Sequence, residues 1–379
     1  MRARRIARQR RTDVISLFLA GDVMTGRGID QVLPHPGDPR LYESYVKSAY
    51  GYVELAERAN GPIARPLAFG EIWGDALVEL EHRRPEARIV NLETAVTQST
   101  EPEPKGINYK MNTANVDAIT AAGIDCCVLA NNHVLDWGPA GLVETLTTLE
   151  QVGVRCAGAG RDQASAAAPA IIPAAGEARL LVYALASPTS GVPAAWAATA
   201  HRPGVNLLPS ISEACARVIA DGIHAAKRPG DIVVLSIHWG PNWGYDISDE
   251  QVAFAHRLID SGAADVIYGH SSHHAKAIEV YRQKLILYGC GDFIDDYEGI
   301  SGYEEFRDDL VLMYFPVVRA GDGTLAGLDM VPLQIRNMRL HRASPADAAW
   351  LAGTLNREGG RFGPHIRIGP DQMLKLVQA

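Results

Sequence analysis

The chain has no Cys-x-x-Cys pair, no excess of basic residues and no apolar run long enough to cross a bilayer, and each absence argues against a class of function. Its five cysteines (Cys126, Cys127, Cys156, Cys215 and Cys290) are odd in number and lack metal-binding spacing. That speaks against a disulfide scaffold or a cysteine-built structural zinc and reads as reduced core thiols. Lys and Arg total 36 against 44 Asp and Glu, a net charge of −8. A phosphate-tracking surface needs the opposite balance, so no nucleic-acid partner is expected. A spanning helix needs about 20 consecutive apolar residues; no such run occurs, no membrane anchor is evident, and a cytoplasmic protein is expected.

Charge is concentrated in one place. Six arginines fall within the first eleven residues. The apolar stretch behind them, Val14 to Ala20, leads straight into Gly21-Asp22 and reads as a first core strand rather than an export signal. Residues 1–13 are therefore expected to be a basic disordered tail. One α/β domain is expected over 14–340, with a C-terminal helix and tail, 341–379, packed on it. Helical patterns fall near 41–59, 72–82, 139–152, 210–227, 249–262 and 344–356, and residues 186–209 read as a long loop.

Five short apolar runs end in residues that bind metals. Val14–Ala20 ends in Asp22, and the run at 87–90 ends in Asn91-Leu92-Glu93. The run at 126–130 ends in Asn131-Asn132-His133, and that at 232–237 in His238. The run at 265–268 leads to His270, His273 and His274. Taken singly, each has a plainer reading. Asp22 could be a turn residue, Asn131-Asn132 a left-handed turn, His238 a satisfied core histidine, and Asp136 the cap of the next helix. Taken together they change the odds, because ligands in open α/β sheets sit beyond the carboxyl ends of the strands. A set of Asp, Glu, Asn and His without Cys suits one or two divalent ions: Mn, Fe or Zn, with Mg or Ca as alternatives.

The ordered motifs make the resemblance specific. Gly21-Asp-Val-Met-Thr-Gly-Arg27, Asn91-Leu-Glu93 and Ala130-Asn-Asn-His-Val-Leu-Asp-Trp-Gly138 are followed by His238-Trp-Gly240, Gly269-His-Ser-Ser-His-His274 and Leu285-Ile-Leu-Tyr-Gly-Cys-Gly-Asp-Phe293. The chain resembles the poly-γ-glutamate capsule (CapA/PgsA) family, a branch of the calcineurin-like metallophosphoesterases. That resemblance implies a four-layer α/β/β/α sandwich with two central mixed sheets. It implies Asp22 on a first metal, Glu93 bridging, and Asn132, His238 and His270 on a second. His273 would return to the first metal, with His274 competing for that role. His133 would be the catalytic histidine, and His273 or His274 its partner in any two-base chemistry. Arg27 and Asp136 are candidate substrate contacts; for Arg27 a surface salt bridge is the competing reading. The superfamily's first motif is Asp-x-His, but residue 24 here is Met, which leaves the first metal position thin.

Three functions follow as expectations. The first is a metal-dependent hydrolase that cleaves a phosphoester or a γ-glutamyl amide in an anionic small molecule or peptide through a metal-bound hydroxide. The second is a metal-dependent peptide epimerase using two histidines at Cα. The third is a non-enzymatic subunit of a poly-γ-glutamate synthesis machinery.

Overall fold

The computed structural model describes residues 13–174 and 178–377, so the tail expected at 1–13 lies, Asp13 apart, outside the described residues. The apolar runs become strands. β1 (Val14–Val23), β2 (Ala87–Leu92), β3 (Cys126–Val128) and β4 (Arg155–Ala157) pair in parallel in that order. The chain then builds a second sheet from β5 (Ala170–Pro173), β6 (Arg179–Ala186), β7 (Ile232–His238), β8 (Val266–His270), β9 (Ile278–Tyr281) and β10 (Lys284–Leu287). There β6, β7, β8 and β10 run parallel, and β5 and β9 close the edges antiparallel. Afterwards it returns to the first sheet. β11 (Asp292–Ile294) joins β1 in parallel, and β12 (Leu310–Arg319) pairs with β1 on the antiparallel side. β13 (Leu325–Arg336), β14 (Arg339–Arg342), β15 (His365–Ile368) and β16 (Leu374–Val377) extend that side.

Side chains alternate across each strand, and the alternation orders the layers. On the second sheet Leu181, Tyr183, Val233, Leu235 and Ile267 face one core with Ala216, Ala220, Phe254 and Leu258. Those four come from α3 (Glu213–Ala226) and α4 (Asp249–Asp260), which follow α1 (Asp75–Arg83) and α2 (Gly138–Gln151) in the chain. The intervening residues Val182, Val234, Val266 and Tyr268 join the core shared with the first sheet, and the Tyr268 hydroxyl donates to the carbonyl of Ala20 on β1. On the first sheet's far side, Arg88 of β2 donates to the carbonyls of Leu80 in α1 (3.3 Å) and Ala122 (2.6 Å). The result is helices, sheet, sheet, helices, the expected four-layer sandwich. Continuing the alternation, His238 follows Val234 and His270 follows Tyr268 on the inter-sheet face.

Local chemistry sets the helix starts. Ser212 caps α3, and Ser248 with Gln251 forms a reciprocal capping box on α4. Expectation and structure part in three places. The helix expected over 41–59 begins only at Tyr50, because Glu43 is drawn inward to Arg27 and Tyr52 and holds 41–49 as loop. A helix over Arg27–Val32 was not expected. The tail after α5 (Pro345–Gly359) supplies β15 and β16. Among the described residues no helix is long and apolar enough to cross a membrane.

Candidate functional site

The five strand ends converge, and they do so across both sheets. Asp22 is registered with Asn91 on β2 and with Asp292 on β11, and His238 lies directly opposite His270. Asp22 Oδ1 accepts from Asn91 Nδ2 at 2.8 Å, and its Oδ2 faces the Ser271 amide at 3.4 Å. Ser271 takes φ of 94°, a backbone conformation that costs a non-glycine residue and that persists where surrounding structure enforces it. Asn131 donates to Asn91 Oδ1 (3.0 Å) and to the Leu92 carbonyl (2.9 Å), while its own oxygen accepts from the amides of His133 and Val134. These asparagines hold the carboxylate side in place.

Around them stand the metal-type donors. Glu93 Oε1 lies 3.8 Å from His238 Nε2 and 3.9 Å from His133 Nε2. His238 Nε2 is 3.2 Å from Asn132 Oδ1, and His270 Nδ1 is 3.3 Å from Asp22 Oδ1. Atoms each about 2.1 Å from one tetrahedral ion lie about 3.4 Å apart, so these separations suit a shared ion better than a shared proton. Among the described residues no group of three or more His, Cys, Asp or Glu is placed to hold a metal ion by itself; Asn132 is the neutral donor that adjoins the pairs. The decisive feature is what lacks a partner. His238 and His270 are each 1% exposed, yet Nδ1 of His238 and both ring nitrogens of His270 make no hydrogen bond. Buried polar atoms without partners are costly. By donor type and by these orphaned nitrogens the set suits a divalent cation.

Electrostatics point the same way. Burial, then the nearby charges of Asp22 and Asp292, pushes Glu93 well above the ordinary carboxylate range. Burial pushes Asp22 upward too, but the neighbouring His270 and His238 outweigh it and the carboxyl lies below its usual range. Burial brings His238 down to about 3, so it is neutral near pH 7. Crowding of buried acids without a countercharge is what raises Glu93, and a bound cation would supply that charge.

His133 is held differently. Its Nδ1 meets Asp136 Oδ2 at 2.7 Å, and its ring stacks on Tyr109 with centroids 3.8 Å apart. Lys105 Nζ donates to Asp136 Oδ1 at 2.7 Å and to the Asn132 carbonyl. Burial, then the charges of Lys105 and Arg27, keeps His133 well below the ordinary imidazole range. With Nδ1 turned to Asp136, Nε2 faces Glu93 and the site.

The family described as "Bacterial capsule synthesis protein PGA_cap" matches residues 16–297. The chain belongs to that family. It is 47% identical over 97% of its length, and 97% of the relative's, to a probable polyglutamine synthesis accessory protein of Mycobacterium tuberculosis. It is 27% identical to the PGA biosynthesis protein CapA of Bacillus subtilis (88% of this chain, 74% of the relative). With the capsule biosynthesis protein CapA of Bacillus anthracis the identity is 25% (87% and 69%). The PGA_cap match spans every residue of the cluster, from Asp22 to Asp292.

Within this family member two of the plainer readings need correction, and the surroundings of two adjacent histidines differ. Arg27 makes no surface salt bridge. It is buried, bound to Glu43 at 2.9 Å and to Asp296, under the ring of Tyr52 at 3.8 Å. Asp136 caps no helix; it is fully buried and accepts from His133, Lys105 and the Tyr109 amide. His273 and His274 separate cleanly. His273 Nδ1 bonds Asp292 at 2.9 Å and its Nε2 meets Asn242 at 2.9 Å. His274 packs on Phe306 and Tyr245 with Nε2 unpartnered, so His273 is the histidine beside Asp22's neighbour Asp292. Sequence reading gave no role to Lys105, Tyr109 or Asp292. Lys105 carries no motif, whereas Asp292 lay within the quoted Gly-Asp-Phe.

An apolar cavity of about 730 Å³ lies elsewhere. It opens between α3 and the short helix Gln163–Ala167 and is lined chiefly by Ala, Leu, Ile and Val. No Asp, Glu or His lines it.

Proposed function

We propose that this chain is a metal-dependent hydrolase that cleaves a phosphoester or a γ-glutamyl amide in an anionic substrate. Asp22, Glu93, Asn132, His238 and His270 would hold the divalent ion, with His273 beside them. When bound, the ion supplies Lewis acidity to the scissile group and to the attacking water. The remaining work falls to the chain's own groups. With Asp136 ionised, His133 must donate from Nδ1, which leaves the Nε2 lone pair facing Glu93. Nε2 can take a proton from the attacking water and return it to the leaving oxygen or nitrogen. Lys105 holds Asp136 from the opposite side. Relatives named for PGA biosynthesis and polyglutamine synthesis support glutamyl substrates alongside phosphoesters.

The observation that carries this reading is the pairing of an anchored His133 with two buried histidines close by, His238 without a partner at Nδ1 and His270 without one at either nitrogen. Epimerisation is less well supported. It needs a second free imidazole across the substrate, but both nitrogens of His273 are engaged and His274 sits among aromatic rings. The test is turnover of an aryl phosphate and of γ-glutamyl peptides by Mn-loaded protein, followed by mass spectrometry. Cleavage abolished by Asp22→Asn and by His238→Ala is expected. A metal-loaded chain inert on both classes overturns the proposal, and one that binds no metal would be left as a non-catalytic accessory subunit.

A further inference from the structure

Met24 leaves the first metal position one ligand short, and the fold delivers a carboxylate to the same place from far along the chain. Two Gly-Asp dipeptides, Gly21-Asp22 and Gly291-Asp292, lie side by side. The Asp22 amide donates to the Gly291 carbonyl at 2.9 Å, and the Met24 amide to the Ile294 carbonyl at 2.7 Å. A Cβ on Gly21 would fall 1.9 Å from the Gly291 oxygen, so only glycine lets the strands approach this closely. Gly291 itself takes φ of 78°, which a side chain would strain. The close approach sets Asp292 in register with Asp22.

Asp292 is 2% exposed. Both of its oxygens meet a single donor, His273 Nδ1, at 2.9 and 3.0 Å, although an ionised carboxylate has about four acceptor sites. On the other side of Asp22 stands His270, buried with both ring nitrogens unpartnered, which independently marks the place as one that lacks a ligand. Met24 is buried as well, and its thioether is a poor donor for the hard ions that carboxylates select.

We propose that Asp292 completes the first metal position in place of residue 24, acting as an oxygen ligand while it also orients His273. The inference rests on the metal-binding reading above. It differs from a purely orienting role in one respect: Asn at 292 keeps an acceptor for His273 Nδ1 but removes the charge.

The test is Mn²⁺ binding by calorimetry with elemental analysis, on wild type, Asp292→Asn, Met24→His and the double variant, each checked for folding by circular dichroism. Asp292→Asn should lose bound Mn²⁺ or weaken its binding about tenfold or more, and Met24→His should restore it in that background. Met24→His alone should leave wild-type affinity within about twofold, because the place is already filled; this arm does not depend on Asp292→Asn folding. Wild-type stoichiometry and affinity in Asp292→Asn, or marked tightening by Met24→His alone, overturns the assignment of Asp292. Failure of the wild type to bind Mn²⁺ overturns instead the metal-binding reading beneath it.

Discussion

The two sheets contribute unlike halves to one site. The first sheet brings the oxygens: Asp22 from β1, Glu93 beyond β2, Asn132 beyond β3 and Asp292 from β11. The second brings the imidazoles His238, His270 and His273 from the ends of β7 and β8. The oxygen half is pre-organised, since Asn91, Asn131 and the Ser271 amide hold the carboxylates and the turn that carries His133. The imidazole half is left open at Nδ1 of His238 and at both nitrogens of His270. A site divided in this way exists only when the two sheets are packed, so metal binding should stabilise the whole sandwich rather than one half. His133 is the exception that sharpens the contrast: an imidazole from the first sheet, anchored at Nδ1 like the rest of that half.

The largest contrast should come from removing one histidine of each kind. His238→Ala is expected to lose both bound Mn²⁺ and turnover. His133→Ala should keep its metal, by elemental analysis, while the rate of substrate cleavage falls about 10²- to 10⁴-fold, the usual range for a lost acid–base group. If the two variants lose metal equally, the division between halves is wrong. A smaller effect belongs to Asp136→Asn, which keeps the side-chain volume but no longer fixes the Nδ1 proton. About 10- to 100-fold in kcat with little change in metal content is expected, and a pure KM effect would contradict the positioning role.

The smallest effect is in pH dependence. Burial pushes Asp136 up to about 7 and raises Glu93 as well. An acid whose pKa is higher folded than unfolded carries extra proton in the folded state, so its contribution to stability falls as pH rises from about 4 toward 7. A cation held by Glu93 requires its ionised carboxylate and displaces that proton. The gap in Tm between Mn-loaded and metal-free protein should therefore widen across that window. A constant gap would mean that the raised Glu93 carboxyl is not coupled to the ion.

The strand ends were legible because buried parallel strands are nearly continuous apolar runs, and a polar residue that stops one is conspicuous. Glu93, Asn132, His238 and His270 stand out for that reason. What the sequence conceals is pairing at a distance. Nothing local in Gly291-Asp292, within a three-residue strand, reveals that it lies against Gly21-Asp22. Arg27 looks exposed because arginine usually is, and only the fold surrounds it with Glu43, Asp296 and Tyr52. Lys105 sits in a polar loop whose composition suggests solvent, yet its ammonium closes on Asp136. The tail strands β15 and β16 were hidden by their short length.

The central claim is that this buried cluster is a metal site, and elemental analysis of purified wild type beside Glu93→Gln tests it most directly. Glu93 stands between His133 and His238, and Gln keeps its size while removing its charge. The wild type should carry at least one transition-metal ion per chain, and Glu93→Gln should carry fewer or none. A wild type free of metal after loading with Mn, Fe or Zn, or a Glu93→Gln variant with undiminished content, would contradict the account.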